Sequence, residues 1–130
     1  MAEMSNYLEN AMLNLTLNGT AFTAISTPYI ALHTADPTDA GTGAEVSGGS
    51  YARTSASFAT ASGTGGSVAT DADVTFPTAT GTWGTITHIG IWDAASSGNL
   101  LYHTALDASK TIASGDIFKI SSGNCTVTFA

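Results

Sequence analysis

The sequence predicts a mainly β protein: an antiparallel β-sandwich of jelly-roll-like form, with one short N-terminal α-helix. Three observations carry that expectation. About seven short stretches alternate apolar and polar residues as half-buried strands do, with turn residues between them at roughly 8–15-residue spacing. A helical apolar stripe occurs once, near the N-terminus. No strand–helix alternation of the kind that builds parallel sheets is present.

The helix is expected over residues 6–17. Leu8, Met12 and Leu15 recur at helical spacing, Asn6 and Glu9 resemble a capping box, and Gly19 is a natural stop. A stripe this short needs something to pack against. After Pro28 the period changes to two. Tyr29 to His33 reads as a strand, ended by the turn residues 36–39, and residues 36–50 form a loop long enough to make contacts. Tyr51 to Phe58 reads as a second, weakly apolar strand, and residues 59–67 as a connection. Val74 and Phe76 alternate before Pro77. In Trp83–Trp92, Ile86, His88, Gly90 and Trp92 fall on one face, and Thr85, Thr87, Ile89 and Ile91 on the other. Residues 96–99 are a hairpin-type turn, Leu100 to Leu106 the partner strand, and residues 107–110 its close. Ile117–Ile120 and Cys125–Phe129 complete the set. The expected core is Ile30, Leu32, Phe76, Ile89, Ile91, Leu101, Ile120 and Val127. The chain reads as a single globular domain, with 1–20 as an N-terminal helical arm and 21–130 as the β-sandwich domain.

Composition narrows the function. In 130 residues, ten acids stand against Arg53, Lys110 and Lys119, giving a net charge of −7. Three scattered cations cannot form the basic stripe that nucleic acid requires, nor the polybasic patch that holds an anionic membrane. No apolar run approaches the length of a spanning helix. The first ten residues lack the basic region and apolar block of a signal peptide, so synthesis and assembly in a cytoplasm are expected. Cys125 is the one cysteine, so no internal disulfide is possible, and it reads as a small hydrophobe in the last strand.

Chemistry-bearing patterns are sparse. His33, His88 and His103 have no second ligand at a metal spacing, and each reads as a polar residue on a strand face or at a subunit contact. An EF-hand beginning at Asp36 would need oxygen ligands at its third, fifth and twelfth positions. Thr38, Ala40 and Ser47 stand there, so the bidentate acid is missing, although Gly41 fits. No phosphate-binding glycine loop or nucleophile elbow occurs. The sequence therefore predicts no catalytic residue, no cofactor and no metal: not an enzyme. Trp92 reads as core because it alternates with Ile86. Trp83, between Gly81 and Gly84, reads as core or interface equally.

The surface carries more weight. Sheet edges are normally guarded by charges, lysine above all, because unpaired edges recruit other chains. With so few lysines, the edges must be covered by the chain's own loops, by identical copies or by partners. More than half of the residues are Ala, Thr, Ser or Gly, a surface easily desolvated in a fixed assembly. A homo-oligomeric structural protein is the expectation.

Four runs carry a resemblance: NYLENAMLN (6–14), YIALHTADPTDAGTGAEVSGGSYAR (29–53), DVTFPTATGTWGTITHIGIWDA (73–94) and GNLLYHTAL (98–106). Over about residues 4–129 the chain resembles a family of small tailed-bacteriophage virion proteins. Members are described as tail-fibre proteins, and related small β-proteins serve as capsid decoration (cement) proteins. The resemblance implies a virion structural protein without enzymatic activity. Capsid decoration is placed first, because the chain shows no fibre-shaft repeat; a tail-fibre or tail-tip component involved in host attachment is the alternative. The partners expected are the major capsid protein lattice and copies of itself, or tail proteins under the alternative. The expected contacts lie on the helix at Leu8, Met12 and Leu15, and on the loop and its surroundings at Asp36, Asp39, Glu45, Tyr51 and Trp83.

Overall fold

The structure is a computed structural model and describes residues 2–63 and 65–129. In chain order the elements are β1 (Glu3–Met4), α1 (Asn6–Leu17), β2 (Tyr29–His33), β3 (Thr54–Ser55), β4 (Ser67–Ala69), β5 (Val74–Thr75), β6 (Gly84–Trp92), β7 (Leu100–Ile112), β8 (Lys119–Ile120) and β9 (Thr126–Thr128). These strands pair antiparallel throughout. One sheet runs β1-β7-β6-β2-β3, and two short ladders, β4–β9 and β5–β8, stand apart from it. The mainly β, antiparallel expectation with a single helix is met, and the arrangement is compatible with a jelly-roll-like one.

All eight expected core residues fall in one buried cluster. Ile30 and Leu32 of β2 face Ile91 and Ile89 of β6 across the ladder. Val74, Phe76, Phe118, Ile120 and Val127 close over them from the β5–β8 and β4–β9 side. Phe76 meets Phe118 edge-to-face at 5.6 Å, and Tyr51 meets Trp83 the same way at 5.4 Å. Such pairs add to the area they bury because a ring edge is attracted to a ring face.

The helix spans the expected residues, but its cap is Ser5 rather than Asn6. The Ser5 hydroxyl accepts from the Leu8 amide at 3.2 Å and donates to the Leu100 carbonyl, while the Ser5 amide donates to Leu101 at 2.9 Å. One serine thus satisfies the orphan donor of the first turn and fastens the helix to β7. Leu8 is buried in the core and Met12 packs against it. Leu15, the last residue of the stripe, is 42% exposed, so the stripe leaves the core after its second turn; Leu13 and Leu17 lie off it, 56% and 81% exposed.

Four other expectations are corrected. The segment 51–58 forms only β3, plus an isolated bridge from Phe58 to Thr70, because the Tyr51 and Arg53 side chains take partners outside the ladder. β7 does not close at residues 107–110 but continues to Ile112. Residues 106–109 of β7 bulge opposite Thr87 alone, between the pairs Ile86↔Lys110 and His88↔Ala105. This irregularity breaks the period-two phase, and Ile86 therefore joins Ile89 and Ile91 in the same core. Trp92 is buried and opposite Ile89 and Ile91, as expected, but it clusters with Ala31 and Leu100 rather than with Ile86. Strands β1 and β4 were not expected; both are too short to leave a periodic signal.

Among the described residues, no helix is long and apolar enough to cross a membrane.

Candidate interaction surface

The loop expected to make contacts does its first work within the chain. β3 covers only Tyr29 and Ile30 on the outer edge of β2. Beyond that, the Val46 amide donates to Leu32, the Thr34 amide donates to Ala44, and Glu45 bridges to His33. The remaining Leu32 amide donates to the Tyr51 hydroxyl at 3.0 Å. This edge is thus shielded by the chain's own loop, as a lysine-poor β-protein requires.

Glu45, Tyr51 and Arg53 form a knot over that edge. The guanidinium donates to both Glu45 oxygens at 2.9 and 2.8 Å, and to the carbonyls of Ala94 and Ser97. It also lies 3.9 Å over the Trp92 ring. Tyr51 donates to Glu45 at 3.1 Å. Burial works to raise the Glu45 carboxyl, and Arg53 more than offsets this, holding it below the usual carboxylate range. Burial, with the Glu45 charge beside it, pushes the Tyr51 phenol up. Burial also holds His33 below its usual value, favouring a neutral ring.

A second cluster sits around β7, two strands across the sheet from β2. His103 on β7 is 4% exposed, with Asp36 at 3.3 Å from Nδ1 and Asp39 at 2.8 Å from Nε2. Glu3, its ladder partner on β1, lies 3.9 Å from Nε2. From the sequence, His103 is a strand residue with no identifiable partner. Its partners lie 64 and more positions away, so no spacing rule could have joined them.

The predicted contact residues divide accordingly. Leu8 and Trp83 are buried, and Trp83 is core: its indole donates to the Gly49 carbonyl at 2.9 Å. Met12 and Tyr51 are half-buried against the core. Leu15 is exposed, and Asp36 and Asp39 are exposed around His103. The structure does not bring the helix stripe and the Glu45 knot into one site. An open groove of about 870 Å³ runs between the bulged part of β7 and the β8–β9 region, with Leu106, Ile117 and Ile120 among its lining residues.

These features define a small, mainly β chain whose surface offers hydroxyls, small side chains and a few exposed leucines. Residues 3–128 match the family described as podophage GP4 fiber I protein gp80, and the chain belongs to that family. It is thus a structural component of a tailed-phage virion. No curated protein matches the chain.

Proposed function

We propose that this chain is a tail-fibre component, acting in the fibre apparatus rather than as cement on the head. The match to a fibre-protein family over residues 3–128 is the observation that carries this reading. It reverses the order expected from the missing shaft repeat. A repeat is required of a long shaft, whereas a globular segment of a fibre needs none.

The chain engages copies of itself or other tail proteins through apolar and hydroxyl contacts. The exposed leucines of α1, Leu13 and Leu17 on one side and Leu15 on another, and the exposed part of the 36–50 loop are the contact surfaces assigned by this reading. Two of the three basic side chains, Arg53 and Lys119, already hold Glu45 and Asp73, leaving few cations to offer a partner. Binding therefore withstands raised salt, which shortens the screening length of exposed charges from about 8–10 Å near physiological ionic strength to about 3 Å at 1 M.

Gold-labelled antibody on intact particles tests the placement. Label at the tail is the expected result. Label over the whole head surface, with bare tails, returns the case to capsid decoration.

A further inference from the structure

We propose that Glu3, Asp39 and His103 bind one divalent transition-metal ion, with zinc as the reference case, and that the ion staples the N-terminal strand to β7. The ligand atoms of these three residues all lie within 4.8 Å of one another. A tetrahedral ion with ligands at about 2.0–2.2 Å places them roughly 3.3–3.6 Å apart, so small side-chain movements suffice.

The carboxylates around His103 point the same way. Asp36 faces Nδ1 at 3.3 Å, and its own carboxylate is fixed by the Thr38 amide at 2.8 Å. Asp36 stands at Nδ1 as an ion-pair contact, and Nε2 lies 2.8 Å from Asp39 Oδ1; the tautomer with its proton on Nδ1 turns the Nε2 lone pair towards that oxygen. Two acceptors then face each other with Glu3 beside them. A cation between them removes that conflict. A carboxylate on the far nitrogen is also the usual partner of a metal-ligating histidine, since it fixes the tautomer and raises the ligand's basicity. Imidazole in the set favours zinc and its neighbours over calcium and magnesium, which take oxygen.

The three ligands come from three remote segments: β1, the turn after β2, and the first third of β7. β1 is joined to β7 by only two residue pairs, Glu3↔His103 and Met4↔Tyr102. An ion here holds β1 in place and, through the Ser5 cap, sets where α1 emerges from the sheet.

The test uses the full chain with an untagged N-terminus, stripped with chelator and titrated calorimetrically with Zn²⁺ and separately with Ca²⁺. One Zn²⁺ per chain is expected, with a raised melting temperature and much weaker binding of Ca²⁺. Glu3 is exposed, so Glu3→Gln leaves the fold intact and should weaken Zn²⁺ by at least about tenfold, as should Asp39→Asn; Asp36→Asn should cost about 10–100-fold through the ring's orientation. Circular dichroism of each variant should match the wild type. Absence of stoichiometric Zn²⁺ binding overturns the proposal and leaves a proton on Nε2 as the bridge. Binding that Glu3→Gln and Asp39→Asn leave unchanged, or that Ca²⁺ equals, overturns it too.

Discussion

Gly90, in the middle of β6, tests the packing of the sheet's second face. A Cβ there would stand 2.8 Å from Trp92 Nε1, 2.9 Å from Leu100 Cδ1 and 3.1 Å from His33 Nε2. All three neighbours are buried, and His33 and Trp92 stack nearly parallel, 15° apart. Trp92 is held in turn under Arg53, so the ring cannot swing away without breaking the Glu45 knot. Overpacking of this kind costs about 1–3 kcal/mol. Replacing glycine also restricts the unfolded chain, which returns about 0.4–1 kcal/mol. Gly90→Ala should therefore lose roughly 1–2 kcal/mol net. Urea unfolding followed by tryptophan fluorescence should show a lower midpoint with an unchanged slope. Gly81→Ala is the control: its Cβ meets only the Gly49 Cα at 3.5 Å, ordinary contact, and should leave stability equal or higher. A Gly90→Ala protein as stable as the wild type, or an equal loss at Gly81, would refute the reasoning.

Three further outcomes are expected. Ser5→Ala removes both the cap of α1 and the bond to Leu100, and should cost about 1–2 kcal/mol in the same urea assay; a loss under about 0.5 would mean the cap is not what fastens the helix. Ile91→Ala should cost about 2–4 kcal/mol, since Ile91 is 5% exposed in the main core; a loss near zero would place it outside that core. The Glu45 carboxyl titrates lower in the folded chain than its ordinary value of 4.5, so the unfolded chain binds the extra proton. Its contribution is complete above that value and is lost as pH falls through the folded one. Melting temperatures of wild type and Glu45→Gln should accordingly differ near neutrality and converge in acid; a gap that widens in acid contradicts this.

Much of the fold was legible because its signals are local. The Leu8–Met12 spacing marks α1, and the alternation of Ile30 with Leu32 and of Ile89 with Ile91 marks the central strands and their buried face. Period two fails at Thr87 because the bulge at residues 106–109 lies on the neighbouring strand, where β6 carries no trace of it. Trp83 looked exposable between two glycines; its burial follows from a long-range hydrogen bond to Gly49 and an edge contact with Tyr51. The candidate sites were less legible. Asp36 and Asp39 were singled out, yet their partner is His103, supplied by a strand that only the folded sheet brings near. Glu45 was singled out without Arg53, although eight residues separate them, because charge pairs across a loop follow no fixed spacing.

The fibre assignment is tested most directly by counting the protein in purified virions against the major capsid protein, by quantitative mass spectrometry. A tail has low rotational symmetry, and a fibre component is therefore present in a small multiple of that symmetry. The account predicts a handful to a few dozen copies per particle. Copies in the hundreds, matching the sites of the head lattice, would contradict it.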